Sequence, residues 1–177
     1  LEDASVAEDA DFVLTLSASD VDGDYVTFST SVDGNGSASV NGSTLTVLPA
    51  ADFNGDIIVT ISANDGALAD TDSFTLSVTP VNDAPAIDTI SDQAIDEDSS
   101  ITLALTASDI DGDNLTFSAF SGTVDASVDG STLTVTPEVD YNGEAVVTVE
   151  VSDGEYTSET SFTLTVNPVN DAPYFIT

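Results

Sequence analysis

The stretch Pro80-Val81-Asn82-Asp83-Ala84-Pro85 decides how the chain is organised, because it returns nearly unchanged as Pro168-Val169-Asn170-Asp171-Ala172-Pro173. Each bracketing proline has a fixed φ and no N–H to give to a sheet. Each also biases the residue before it towards an extended conformation. We therefore predict that both stretches are stiff, extended connectors that follow a folded unit.

Other motifs recur with nearly the same spacing as the connectors. Asn54-Gly55 and Asn142-Gly143 are 88 residues apart, and Asp20-Val21-Asp22-Gly23-Asp24 precedes Asp109-Ile110-Asp111-Gly112-Asp113 by 89 residues. A single-residue deletion in a loop accounts for the difference, and folded repeats tolerate such a change. We predict one repeat at residues 1–83, a second at 84–171, and the start of a following repeat at 172–177. Leu1 aligns with Ile90, so the first repeat is expected to lack the residues that open the second.

Within each repeat, apolar and small polar residues alternate in short runs. Phe12–Ala18 and Ile57–Ala63 show this pattern, and Asp, Asn and Gly clusters separate the runs. Period-two alternation of β-branched residues between turn signals is typical of strands. About seven short strands in a repeat of this length indicate an immunoglobulin-like Greek-key β-sandwich. The fold class is therefore predicted to be all-β, with two tandem sandwiches.

The charge of the chain excludes several functions. The 177 residues contain 33 acidic groups and no Lys, Arg, His or Cys, so the formal net charge is −33. Without basic residues the chain has no phosphate clamp, which excludes nucleic acid as a direct partner, and an anionic membrane would repel it. Without His or Cys it has neither a usual zinc site nor an imidazole or thiolate catalyst. A glycosidase would need only two carboxylates, but no Trp is present to hold a sugar, so we predict no enzymatic activity.

The acidic residues gather in loops at equivalent places of the two repeats. The candidate metal ligands of the first repeat and its connector are Glu8, Asp20, Asp22, Asp52, Asp65, Asn82 and Asp83. Those of the second are Glu97, Asp109, Asp111, Asp140, Asp153, Asn170 and Asp171. Clustered carboxylates must take up protons or bind a cation. Because the chain has no positive side chain, that cation has to come from solution.

Strand order predicts which loops meet, because successive strands of a sandwich run up and down. Glu8, Asp52 and the connector are expected at the far end of the first repeat, and Asp20, Asp22 and Asp65 at its near end. In a tandem array, the far end of one repeat would face Asp109, Asp111 and Asp153 of the next. Carboxylate and amide oxygens of this kind suit Ca²⁺, which takes six to eight oxygens, better than Mg²⁺. Loops that are merely solvated remain the alternative.

These residues resemble the cadherin-like repeats of large bacterial surface proteins, close to the tandem repeats of calcium-dependent adhesins secreted by the RTX type I route. The resemblance rests on Glu8, Asp20-Val21-Asp22, Asp65-Gly66 and Asn82-Asp83-Ala84-Pro85. The last of these is similar to the cadherin linker Asp-x-Asn-Asp-Asn-x-Pro, although it lacks the leading Asp and the second Asn. The resemblance implies calcium at junctions between domains, an extended rod, an extracellular location and a role in adhesion or spacing.

Two functions remain open after this comparison. In the first, calcium stiffens the junctions, and the repeats act as a spacer of a cell-surface adhesin whose partners are calcium ions and neighbouring repeats. In the second, the repeat itself binds surface glycans or another copy of itself. The small number of aromatic residues, four Tyr and eight Phe, favours the spacer.

Overall fold

The computed structural model describes residues 1–173, and these form two compact units that divide between Val81 and Asn82. The division falls inside the predicted connector. The predicted repeat limits at residues 83/84 and 171/172 stay predictions, and residues 174–177 of the predicted following repeat lie outside the described residues.

The first unit contains seven strands, in agreement with the predicted number. They are β1 (Ala4–Ala7), β2 (Phe12–Thr15), β3 (Thr27–Val32), β4 (Gly36–Asn41), β5 (Thr44–Pro49), β6 (Gly55–Asn64) and β7 (Ala69–Thr79). One sheet has the order β1-β7-β6-β3 and the other the order β2-β5-β4. β1 pairs in parallel with β7, from Ala4 opposite Leu76 to Ala7 opposite Thr79, whereas the other pairs are antiparallel.

As far as residue 173, the second unit repeats this plan with two additional short strands. Its strands are β8 (Ala86–Ile87), β9 (Gln93–Asp96), β10 (Ile101–Ala104), β11 (Ala107–Ser108), β12 (Thr116–Phe120), β13 (Asp125–Asp129), β14 (Thr132–Thr136), β15 (Gly143–Ser152) and β16 (Thr157–Asn167). The main sheets have the orders β12-β15-β16-β9 and β10-β14-β13, and β11 pairs with β8 in a small third sheet. The pair β8–β11 was not predicted, because two residues are too few to show an alternation.

The core of each unit comes from the inward positions of the alternating runs. Leu45, Ile57 and Leu76 are completely buried in the first unit, and Leu133 and Leu164 are completely buried in the second. Each such side chain contributes about 1.5–3 kcal/mol when it leaves water. Since both units are filled from two facing sheets, the predicted all-β sandwich fold is confirmed.

An aromatic residue packs against the core at equivalent positions of the two units. Phe53 packs against the buried cluster of the first unit, and Tyr141 packs against that of the second. The Tyr141 hydroxyl donates a hydrogen bond to the carbonyl of Glu144 at 3.0 Å. Both aromatics directly precede an Asn-Gly pair whose glycine begins a strand, β6 in the first unit and β15 in the second.

The described residues 1–173 form strands, turns and loops without a helix. Accordingly, this part of the chain contains no helix with the length and apolar character that crossing a membrane requires.

Candidate metal centre

The loop after β11 gathers three carboxylates at one end of the second unit. Asp109, Asp111 and Asp113 each offer an oxygen, and these oxygens all lie within 4.8 Å of one another. The Asp113 backbone N–H donates to Asp109 Oδ1 at 3.1 Å, which holds the loop closed. Asp109 Oδ2 is buried and has no hydrogen-bond partner among the described residues. A buried carboxylate oxygen without a donor is costly, and a cation would offset that cost.

The start of the second unit passes over this loop. The Asp83 backbone N–H donates to Asp111 Oδ2 at 2.8 Å. The Asn82 side-chain amide donates to Asp153 Oδ2 at 2.9 Å. One end of this unit therefore brings together five of the predicted residues: Asn82, Asp83, Asp109, Asp111 and Asp153.

Asp153 is held in place by its own turn. Its Oδ1 accepts backbone N–H groups from Glu155 at 2.7 Å and from Tyr156 at 2.6 Å. Desolvation raises the pKa of this carboxyl. Hydrogen bonds from the Tyr156 and Glu155 N–H groups and from the Asn82 amide have the larger, opposite effect, so the pKa is lower than its usual value. Asp153 is therefore a fixed anion whose Oδ2 faces the connector.

Replacing Asn82 with alanine is expected to lower the melting temperature of the second unit by about 5 °C in EDTA, because a hydrogen bond to a charged acceptor is lost. Differential scanning calorimetry measures this change. Asn170→Ala is the matched control, since the Asn170 amide donates to the neighbouring Asp171 carbonyl at 3.2 Å rather than to a carboxylate. Equal shifts for the two variants would show that the Asn82–Asp153 bond does not stabilise this end.

The first unit has the same loops at its equivalent end. Asp20 Oδ1 accepts the backbone N–H groups of Asp22 at 2.8 Å and Asp24 at 3.1 Å. Asp65 Oδ1 accepts those of Ala67 and Leu68, both at 2.7 Å. The N–H groups of Leu68 and Ala67 hold the pKa of Asp65 below its usual value. Asp20 and Asp65 line the same surface cavity of this unit, so these predicted residues lie close together.

The other end of the second unit is built around Glu97, which is only 6% exposed. Its Oε1 accepts the Val169 backbone N–H at 2.5 Å, and its Oε2 accepts the Asn142 amide at 3.2 Å. Val169 belongs to the second connector, so the carboxylate holds the connector against this end. A buried carboxylate needs such donors, because it has no cationic side chain to pair with.

Three more carboxylates lie beside Glu97. Oxygens of Asp98, Asp140 and Asp171 all lie within 4.8 Å of one another. The Asp140 backbone N–H donates to Asp98 Oδ1 at 3.2 Å. Desolvation and the charges of Asp140, Glu97 and Asp98 raise the pKa of Asp171 above its usual value. The carboxylates at this end therefore repel one another, and a bound divalent cation would reduce this repulsion.

The first unit repeats this arrangement around Glu8, which is 3% exposed. Glu8 Oε1 accepts the Val81 backbone N–H at 2.5 Å, and the Asp52 N–H donates to Asp9 Oδ1 at 3.4 Å.

The backbone of these ends is unusual at equivalent positions in both units. Asp9, Asp52, Asp98 and Asp140 all have φ between 56° and 61°. Aspartate is among the few residues that enter this left-handed region without large strain. The same backbone conformation at equivalent positions shows that these turns are built alike in the two units.

The predicted residues thus fall into groups at the two ends of each unit. Whether the far end of the first unit faces the near end of the second stays a prediction. Participants outside the predicted ligand set include Asp98, which lies beside Asp140 and Asp171, Asp113, which lies beside Asp109 and Asp111, and Asn142, which holds Glu97. The adjacency of Glu97 and Asp98 was the available signal for Asp98. A lone Asn-Gly pair indicates only a turn, so it could not reveal Asn142.

The fold and the paired acidic ends define a class, the tandem immunoglobulin-like β-sandwich domains. Residues 81–167 match the cadherin-like domain family, and residues 2–79 match the bacterial Ig domain family. The cadherin-like match falls on the second unit and the bacterial Ig match on the first, which confirms the resemblance to cadherin-like repeats inferred from the sequence.

Single proteins that resemble this chain have low sequence identity to it or share only part of their length with it. The chain is 31% identical over 165 residues to chitinase A of Pseudoalteromonas piscicida, and the match covers 88% of this chain but 20% of the chitinase. Human protocadherin-24 EC1-2 has a TM-score of 0.56 at 15% identity, with coverage of 94% of this chain and 95% of that structure. An endo-fucoidan hydrolase of glycoside hydrolase family 107 is 20% identical with a TM-score of 0.42, over 96% of this chain and 28% of the hydrolase. The protocadherin likeness supports the fold alone.

Proposed function

We propose that the chain is a calcium-binding spacer segment of a secreted or cell-surface bacterial protein. The observation that carries this proposal is the collection of carboxylates at the unit ends in a chain with no Lys, Arg or His, together with the buried Asp109 Oδ2, for which residues 1–173 supply no hydrogen-bond partner. Domains of the cadherin-like and bacterial Ig families are typical of extracellular proteins, where calcium is abundant.

The oxygen donors suit calcium in kind and number. Asn82, Asp83, Asp109, Asp111 and Asp153 would supply carboxylate, amide and backbone oxygens at one end of the second unit. The other end would use Glu97, Asp140, Asn170 and Asp171, with Asp98 as an addition. Glu8, Asp52, Asp20, Asp22 and Asp65 are the first unit's equivalents. Calcium accepts six to eight such oxygens in irregular geometry, whereas magnesium needs a near-ideal octahedron.

The connector explains why these sites would control stiffness. Val81 is bonded to Glu8 of the first unit, and the next two residues, Asn82 and Asp83, are bonded to Asp153 and Asp111 of the second. Consecutive residues are thus held by carboxylates of different units. We propose that calcium bound at the carboxylates of each unit fixes the part of the connector that this unit holds.

Calcium titration tests this proposal directly. Isothermal calorimetry is expected to show binding in the range of about 10⁻⁴ to 10⁻³ M, as for extracellular modules. Small-angle scattering should show a narrower distribution of the radius of gyration after calcium is added than in EDTA. Magnesium at the same concentration is the control, since it should produce a much smaller change. A chain that binds no calcium, or whose scattering is the same in both conditions, is not a calcium-stiffened spacer.

The similarity to chitinase A favours a second setting for the same spacer. In an adhesin, the segment would hold a distal binding domain away from the cell. In a polysaccharide-degrading enzyme, it would separate the catalytic domain from another module. Because domains of this class are typically non-catalytic, we propose that the pair itself performs no reaction in either setting.

Binding of surface glycans or of another copy is the competing role. A glycan array probed with the 177-residue chain, and analytical ultracentrifugation over a range of concentrations in calcium, separate these roles. A pure spacer binds no glycan and stays monomeric. Calcium-dependent dimerisation would instead identify a homophilic adhesion module.

A further inference from the structure

Four asparagines of the chain are followed directly by a glycine: Asn35, Asn41, Asn54 and Asn142. An asparagine side chain can react with the peptide nitrogen of the next residue. Glycine leaves that nitrogen least hindered, because it has no side chain. The four pairs share the same local chemistry, so the folded structure decides which of them reacts. None of the four asparagines is a proposed metal ligand, so their chemistry goes beyond the proposed calcium function.

Asn41-Gly42 lies at the tip of the hairpin between β4 and β5. Asn41 pairs with Thr44, so Gly42 and Ser43 form a two-residue turn, in which Gly42 has a φ of 63°. Asn41, Gly42 and Ser43 are all exposed. A methyl group placed on Gly42 would have no heavy atom within 4 Å outside its two chain neighbours. The Asn41 side chain and the Gly42 nitrogen therefore have room to close a ring.

The Asn35-Gly36 pair is enclosed by β5. The Asn35 carbonyl accepts the Ala50 backbone N–H at 2.8 Å. A methyl group placed on Gly36 would lie 2.6 Å from the Leu48 carbonyl oxygen and 3.1 Å from the Cα atom of Pro49. The backbone of this pair is therefore fixed against a neighbouring strand, and a ring can form there only after the two strands separate locally.

The other two pairs are restrained by side chains around them. A methyl group placed on Gly55 would lie 3.1 Å from the Phe53 ring, which leaves little space beside the Asn54-Gly55 peptide. The Asn142 amide donates to Glu97 Oε2 at 3.2 Å and to the Asp140 carbonyl at 3.4 Å. Both hydrogen bonds must break before this amide group can leave. Of the four pairs, only the one in the β4–β5 turn is thus both exposed and uncrowded.

We propose that Asn41 is a site of spontaneous self-modification, at which the folded chain converts this asparagine into aspartate and isoaspartate. The Gly42 nitrogen gives its proton to hydroxide and attacks Cγ of Asn41. The new N–Cγ bond closes a succinimide ring, and the Cγ–Nδ2 bond breaks as ammonia leaves with a proton from water. A second water then opens the ring. Overall one water is consumed and one ammonia is released, without an oxidant, a reductant or a cofactor.

The ring can open in two ways, and the structure distinguishes their consequences. Water that breaks the new N–Cγ bond gives aspartate, which the second unit already carries at the equivalent position: Asp129 pairs with Thr132, and Gly130 has a φ of 60°. Water that breaks the original peptide bond gives isoaspartate, whose backbone is one atom longer. The extra atom lies beside Ser43, whose carbonyl accepts the Leu16 N–H at 2.7 Å, and it disturbs the strand register.

Incubation of the folded 177-residue chain in mildly alkaline buffer, followed by peptide mapping with mass spectrometry, tests the proposal. Asn41 is expected to convert about 10-fold or more faster than Asn35, Asn54 or Asn142, because the restrained pairs react only after a local opening. The control is the same chain unfolded in urea, where the four asparagines should convert at similar rates. Equal rates in the folded chain, or the same ranking in urea, overturn the proposal.

Two variants test the chemistry and its consequence. Asn41→Gln should show no conversion at residue 41 over the same period, because glutamine would have to close a larger ring; a mass gain there means that the Asn41 side chain is not the reacting group. Asn41→Asp reproduces the aspartate product and should change the melting temperature by less than about 4 °C. A larger loss contradicts the inference that aspartate fits this turn as Asp129 does.

Discussion

Removal of calcium with EDTA is expected to lower the melting temperature of the chain by about 10–20 °C. A ligand at 100 times its dissociation constant stabilises the folded state by about 2.7 kcal/mol, which corresponds to 10 mM calcium for a site of about 10⁻⁴ M. For a domain of this size, about 1 kcal/mol shifts the melting temperature by roughly 4–8 °C. Differential scanning calorimetry in calcium and in EDTA measures the difference.

Calcium should raise the melting temperature more than electrostatic screening alone does. Sodium chloride at a matched ionic strength is the control, because salt weakens repulsion between exposed carboxylates without coordinating them. If sodium chloride restores the melting temperature as fully as calcium does, the carboxylate groups are solvated loops and the proposed ligand sets are wrong.

Glu97→Ala is expected to destabilise the second unit by about 3 kcal/mol or more in calcium. The substitution removes the acceptor of the Val169 N–H and of the Asn142 amide. Each buried donor left without a partner costs about 1–3 kcal/mol. The proposed calcium site loses a ligand as well. Urea denaturation followed by intrinsic tyrosine fluorescence measures the free energy of unfolding.

Two companion variants separate the causes of this effect. Glu97→Gln keeps an oxygen for the Val169 N–H but turns an NH2 group towards the Asn142 amide and removes the charge, so in EDTA it should lose less stability than Glu97→Ala, and calcium should stabilise it less than it stabilises the native chain. Glu159→Ala removes a carboxylate from an exposed position of β16 and should change stability little in either condition. If Glu97→Gln responds to calcium as fully as the native chain, Glu97 is a structural acceptor and not a ligand.

Much of the fold could be predicted because the relevant signals are local and repeated. Alternation in Ile57–Ala63 located the centre of β6, and the recurrence of Pro80–Pro85 located the units. The strand ends were less predictable: β7 begins at Ala69, several residues before the apolar alternation does. Pairing with β6 extends it there through main-chain hydrogen bonds, which depend little on side-chain identity.

The sequence predicted which residues belong to the candidate site, but not which of them form hydrogen bonds with one another. Acidic loops in a chain without cations indicate metal ligands from charge alone. The two hydrogen bonds that hold the site together join distant parts of the sequence. Asn82 and Asp153 are 71 positions apart, and Asn142 and Glu97 are 45 positions apart. Short-range patterns carry no information about such pairs.

The parallel pairing of β1 with β7, and of β9 with β16, has a mechanical consequence. In the first unit the chain enters at Ala4 and leaves after Thr79, and these residues lie at opposite ends of the paired segment. Tension applied to the two ends of the unit therefore loads the hydrogen bonds of the pair in shear, so that they must break together instead of one after another. Each unit thus resists being pulled apart when tension acts between the two ends of its own chain segment.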